Sequence, residues 1–111
     1  MVAGALSEGS TDVDAVVVLD AAGTLLEASG EDPERGRELG ELARELIGRA
    51  DASAADPVAQ IEVQTGSGAV FAVRDHLHAI VCVARRSALP SLVLYDLARA
   101  LAELRARTEA T

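Results

Sequence analysis

The stretch whose reading decides the fold is VVVLDAAGTLLEAS, residues 16–29. It admits two incompatible interpretations. In one, an apolar strand delivers the carboxylate of Asp20 to a strand end, where it could attack a phosphoryl group. In the other, the same letters form a hairpin. A type I turn favours Asp at its first position because the carboxylate accepts nearby backbone N–H groups, and Gly23 supplies the positive φ that closes a three-residue loop. The surrounding sequence decides between them.

Outward from that stretch, the β-branched run 13–19 reads as a strand buried on both faces, and 24–28 returns as its partner. Asp32 and Pro33 then open a helix over 33–50, as N-cap and first helical residue. Its apolar residues Leu39, Leu42, Ala43, Leu46, Ile47 and Ala50 recur at three-and-four spacing and form one stripe, opposite Glu34, Arg37, Glu38, Glu41 and Glu45. Gly36 and Gly40 flank that stripe beside Ala43 and Ile47. Each glycine costs roughly 1 kcal/mol against Ala inside a helix, so two of them four residues apart point to a backbone passing close by.

Three strands follow a loop over 51–57. Residues 59–65 alternate, with Gln60, Glu62 and Gln64 on one face and Ile61 and Val63 on the other. Gly66-Ser67-Gly68 turns the chain into 69–74, and Asp75-His76 turns it into 77–85. A last helix begins with Pro90 in its first turn and is predicted to carry Leu92, Val93, Leu97, Ala100, Leu101 and Leu104 inward. Arg99, Arg105 and Arg107 lie toward its C-terminal end, where the backbone dipole favours cations. The order is that of an α+β domain with one five-stranded antiparallel sheet. The first and fifth strands are apolar on both faces, so they should be central and adjacent. The hairpin partners then extend outward, giving order 2-1-5-4-3 with the third strand at an edge. Residues 1–12 are predicted to be a flexible segment with at most one helical turn, 13–107 the folded domain, and 108–111 a frayed end.

Composition narrows the function. A chain of 111 residues, half of them hydrophobic, is expected to make one domain with a substantial core. The single Cys82 excludes an intramolecular disulfide, and the opening MVAGALSEGS lacks the basic region of a secretory signal, so a cytoplasmic location is expected. The longest apolar run, 77–84 with a histidine inside it, falls well short of the roughly 20 residues of a membrane span. A formal charge of −8 repels phosphate backbones and anionic lipids, which disfavours nucleic acid and membrane surfaces as partners. Every charged basic residue is Arg and alanine is abundant, a pattern of genome composition that carries no functional weight.

The candidate chemistries fail one by one. A haloacid dehalogenase-type phosphatase would need a second carboxylate two residues after Asp20, and that position is Ala22. It would also need an acidic pair for magnesium and a helix after Gly23, where the second strand already begins. His76 and His78 have strand-like spacing for a shared metal, but no third ligand is evident nearby. Cys82 alternates into a central strand, where a thiol behaves as a small hydrophobe. Gly66-Ser67-Gly68 lacks the strand, loop and helix context of a phosphate cradle. Arg85-Arg86 reads as a solvated strand end. No catalytic set, cofactor site or metal site is expected.

With no chemistry to follow, the pattern itself becomes informative, and it resembles the Roadblock family, which includes dynein light chains and bacterial GTPase-regulator domains. The resemblance is carried by AVVVLDAAGTLLEAS, GRELGELARELIGRA, IEVQTGSGAVFAVRDHLHAIVCVARR and LPSLVLYDLARALAEL, and covers about residues 13–104. It implies a profilin-like, non-enzymatic homodimer in which edge strands pair into one ten-stranded sheet and the helices after the second strands meet. On this chain the interface would be Gly36, Gly40, Ala43 and Ile47 of the helix with Gln60, Ile61, Glu62, Val63 and Gln64 of the edge strand. The family also implies a Ras-like small GTPase as partner, regulated by binding in a bacterial signalling or polarity system. Family members begin with a full amphipathic helix sharing a sheet face with the last helix. Residues 1–12 look too short and polar to replace it, so part of that face is expected to be bare. The alternative is a small PAS-like or profilin-like ligand sensor, whose start VLDAAGTLLEAS also resembles. Its pocket would need polar hooks, which this aliphatic interior does not supply.

Overall fold

A computed structural model describes residues 2–9, 12–56 and 58–110. Its elements are α1 (Val2–Gly9), β1 (Val13–Asp20), β2 (Leu25–Ala28), α2 (Pro33–Ala52), β3 (Gln60–Gln64), β4 (Gly68–Arg74), β5 (His78–Arg85) and α3 (Pro90–Ala110). The five strands form one sheet in the order β2-β1-β5-β4-β3, with every neighbouring pair antiparallel.

The opening ambiguity resolves as a turn. Asp20 Oδ1 accepts the backbone N–H groups of Ala22 at 3.0 Å and Thr24 at 2.9 Å, while Gly23 takes φ +87°. One carboxylate oxygen thus organises the loop that reverses the chain, and β2 follows directly. The next glycine at positive φ, Gly30, leads into Asp32, whose Oδ1 accepts the N–H of Glu34 at 3.0 Å. With Pro33 supplying a pre-set φ at the first position, α2 starts where the sequence signals place it.

Strand alternation divides the core into two layers. Val16 and Val18 of β1, Phe71 and Val73 of β4, and Ile80 and Cys82 of β5 face α1 and α3, where Val2, Ala3, Val93 and Leu97 cover them. Val17, Leu19, Ala72, Ala79 and Val81 face the opposite way, toward α2 and its buried Ala43. Each strand residue therefore serves one helical layer only.

Three expectations need correction. The N-terminal segment forms a helix of 8 residues rather than at most one turn, with Val2 and Ala3 buried and the Ala3 N–H donating to Glu27 Oε1 at 3.1 Å. The sheet face beside α3 is thus shared with α1, not left bare there. A helix this short is unstable alone and is held by docking, which sequence periodicity does not register. Second, Leu42 and Leu92, predicted to point inward, are 61% and 58% exposed. Both lie at the margin of their apolar stripes, and each stripe is wider than the contact its own sheet offers. α3 also continues to Ala110, beyond the residue where fraying was expected to begin.

The far end of α2 is tied down by a bidentate pair. Arg74 Nη1 and Nη2 donate to Asp51 Oδ2 and Oδ1 at 2.8 and 2.5 Å, and Arg74 Nε donates to the Val58 carbonyl at 2.9 Å. Asp51 Oδ1 also accepts the Val58 N–H at 2.9 Å, so the pair fixes the entry to β3. The Arg74 guanidinium and the Val58 N–H hold the Asp51 carboxyl down at about 2, from 3.8. A carboxylate whose folded pKa is depressed adds stability above its unfolded pKa and loses it as pH falls through the folded value. Stability should therefore show a component that is constant above about pH 5 and disappears between about pH 4 and 2. Chemical denaturation across that range should show it, and Arg74→Gln should remove it.

Candidate functional site

Sheet geometry leaves β3 with one neighbour, β4, and no strand on its outer side among the described residues. The pairing Ile61 with Ala72 and Val63 with Val70 puts both apolar β3 side chains on the α2 side of the sheet. Gln60, Glu62 and Gln64 pair with Val73, Phe71 and Ala69, so they stand on the α3 side, where all three are exposed. Gln64 Nε2 donates to Glu62 Oε2 at 3.0 Å along that polar row. The edge has neither proline nor lysine to block another strand.

On the α2 side, the helix packs chiefly over β2 and β1. A groove of about 240 Å³ remains between it and the sheet, lined by Leu39, Leu42, Ala43 and Leu46 of α2, Ala15 and Val17 of β1, Val81 and Val83 of β5, and Val70 of β4. Every lining side chain is aliphatic. Leu42 at 61% and Val63 at 37% exposure extend this apolar surface past its rim. An open strand edge next to an apolar trough is the one large feature that the chain leaves unsatisfied.

The α2 residues expected at a dimer contact are distributed differently. Gly36 and Gly40 are buried against their own β2: a Cβ at Gly36 would lie 2.8 Å from Ala28 Cβ, and one at Gly40 would lie 3.4 Å from Leu25 Cδ1. The close approach that they permit within this chain is that of the Ala28 and Leu25 side chains on β2. Ala43 is buried and Ile47 half-buried in the layer beneath α2. What α2 presents outward is Leu42, with Leu39 and Leu46 beside the groove. Spacing alone missed this because Leu42 fits the inward stripe; only the position of the helix over β2 and β1 turns it out.

A second cleft, also about 240 Å³, is lined by Asp20, Gly23, Arg44, Ile47, Arg74, Asp75, His76 and His78, among others. Its polar groups are largely engaged. Asp20 holds its turn, Arg74 is paired with Asp51, the aliphatic part of Arg44 lies over Gly23, and Asp75 Oδ1 accepts the N–H groups of Leu77 and His78 at 2.9 Å. His78 is only 8% exposed, and its Nδ1 and Asp75 Oδ2 lack hydrogen-bond partners. His76 is exposed in the preceding turn and lines the same cleft. Among the described residues, no three His, Cys, Asp or Glu side chains are placed to hold a metal. Burial pushes the Cys82 thiol up to about 11, which keeps it protonated at neutral pH. Among the described residues, no helix is long and apolar enough to cross a membrane.

No protein-family model and no curated protein matches the sequence. Solved structures do. A Roadblock/LC7 domain from Streptomyces avermitilis is 19% identical and superposes with a TM-score of 0.85, covering 97% of this chain and 95% of that one. MglB from Myxococcus xanthus is 16% identical with a TM-score of 0.80, over 99% and 94%. Profilin IB from Acanthamoeba castellanii, 18% identical, has a TM-score of 0.64 over 96% and 95%. At these identities the likeness is one of architecture: the chain has the Roadblock/LC7 fold, within the wider profilin-like arrangement of sheet and helices.

Proposed function

We propose that this chain is a non-catalytic homodimeric platform that regulates a Ras-like small GTPase in a bacterial signalling or polarity system. The observation that carries the reading is the open β3 edge lying beside an apolar groove under the exposed Leu42. Antiparallel pairing of two β3 strands would satisfy both edges, and the α2 helices would bring Leu42 and Leu46 of each chain over the aliphatic trough of the other. The interface would comprise Gln60, Ile61, Glu62, Val63 and Gln64, joined by Leu42 and Leu46, with Gly36, Gly40, Ala43 and Ile47 supporting α2 from beneath. MglB, which shares the fold, has also been solved in a tetrameric arrangement, which supports self-association as the working state.

Regulation by binding rather than by chemistry is favoured by how Arg37 and Arg44 of α2 are held. Arg37 is bridged to Glu34 at 2.8 Å and Glu41 at 3.4 Å, and Arg44 packs on Gly23. The Arg37 guanidinium is engaged within its own helix rather than held out toward a developing phosphate charge. A ligand sensor is less well supported, because the groove has no polar side chain to orient a small molecule.

Light scattering at micromolar concentration should give a dimer. Leu42→Glu combined with Val63→Arg should weaken it at least about 100-fold, leaving the circular dichroism spectrum unchanged. A Ras-like GTPase from the same cell should then be retained by the dimer, with its hydrolysis rate altered by the wild type and not by the variant. A wild-type monomer, or a GTPase indifferent to both, would overturn the reading.

A further inference from the structure

The outward face of α3 has a composition that its own protomer does not use. Leu92 is 58% and Tyr95 60% exposed, and helical spacing continues their stripe through Arg99, Ala102 and Ala106. Scattered exposed leucines are ordinary, but large apolar side chains in a row with small ones mark a contact face. Asp96 and Arg99 carry opposite charges on this face. The Arg99 guanidinium carbon lies 5.9 Å from the centre of the Tyr95 ring, and neither Arg99 nor Asp96 makes an ion pair among the described residues.

We propose that α3 pairs antiparallel with α3 of a second copy of this chain, through a twofold axis passing between residues 97 and 98. That axis puts Asp96 opposite the partner's Arg99, and by symmetry Arg99 opposite the partner's Asp96. In the same register Leu92 enters the gap between Arg99, Ala102, Glu103 and Ala106 of the partner subunit, which are spaced i, i+3, i+4 and i+7 as a knob-accepting site requires. The charge pair and the large-on-small packing select one register, and this agreement favours a second copy over an unrelated partner. The α3 layer lies on the opposite side of the sheet from the α2 groove. Pairing there leaves the groove free, and it joins two of the proposed dimers into a four-chain assembly.

Charge exchange tests this directly. Sedimentation at roughly 100 μM should give four chains for the wild type, falling to two on dilution. Asp96→Arg alone and Arg99→Asp alone should each leave two chains, since each sets like charges opposite one another. The double exchange should restore four. Both residues are exposed, so circular dichroism should stay unchanged throughout. If the proposed β3 dimer is wrong while α3 pairing holds, the wild type gives two chains, each single exchange gives one, and the double exchange restores two. A mass insensitive to all three variants, or single exchanges that the double variant fails to rescue, would overturn the pairing.

Discussion

Phe71→Ala is expected to lower the unfolding free energy by about 3–5 kcal/mol, a large part of what a small domain possesses. Phe71 is fully buried on β4, in register with Cys82 on one side and Glu62 on the other, in the same layer as Val93 and Leu97 of α3. It is one of only two aromatic residues in the chain, and the other, Tyr95, lies on the surface. Four alanines, Ala69, Ala84, Ala88 and Ala100, belong to the same cluster, and alanine has no rotamer with which to fill a void. The cavity should therefore persist, which puts the cost toward the upper end of that range. Urea denaturation should show the midpoint falling with an unchanged slope. A loss under about 1 kcal/mol would mean that the α3 layer collapses more readily than its packing indicates. Tyr95→Ala, by contrast, should leave monomer stability within about 0.5 kcal/mol.

Much of this architecture was legible in the letters because each piece has a local cause. The hairpin at Asp20 is fixed by one carboxylate and one positive-φ glycine, and the start of α2 by an Asx cap before proline. The order 2-1-5-4-3 follows from β1 and β5 being apolar on both faces while β3 is apolar on one. What escaped was decided by contacts between distant elements. α1 forms because Val2 and Ala3 find a place between β1 and α3, a gain that no window of 12 residues contains. Leu42 faces outward because α2 is drawn toward β2, and no periodicity separates it from Leu39 or Leu46. The candidate site was half legible for the same reason. The polar and apolar alternation of β3 is written in its sequence, whereas the groove beside it depends on where a helix comes to rest.

The two α2 glycines test that displacement, and they should respond oppositely. A Cβ at Gly36 would meet Ala28 Cβ at 2.8 Å, and that methyl group, fixed on β2, has no torsion by which to retreat. Any side chain there must push α2 off β2. Gly36→Leu should therefore cost about 3 kcal/mol or more, well above the roughly 1 kcal/mol that removing a helical glycine returns. A Cβ at Gly40 meets only Leu25, at 3.4 Å to Cδ1 and 3.6 Å to Cβ, and the leucine can yield by a small rotation. Gly40→Ala should then be neutral or stabilising by up to about 1 kcal/mol. Thermal and urea unfolding of both variants as isolated protomers, in a background carrying Leu42→Glu and Val63→Arg, would separate folding from association. If Gly36→Leu were harmless in that background yet abolished assembly in the wild type, the glycines would serve the partner's backbone instead of β2. The placement of α2, and with it the groove that the proposed dimer fills, would have to be redrawn.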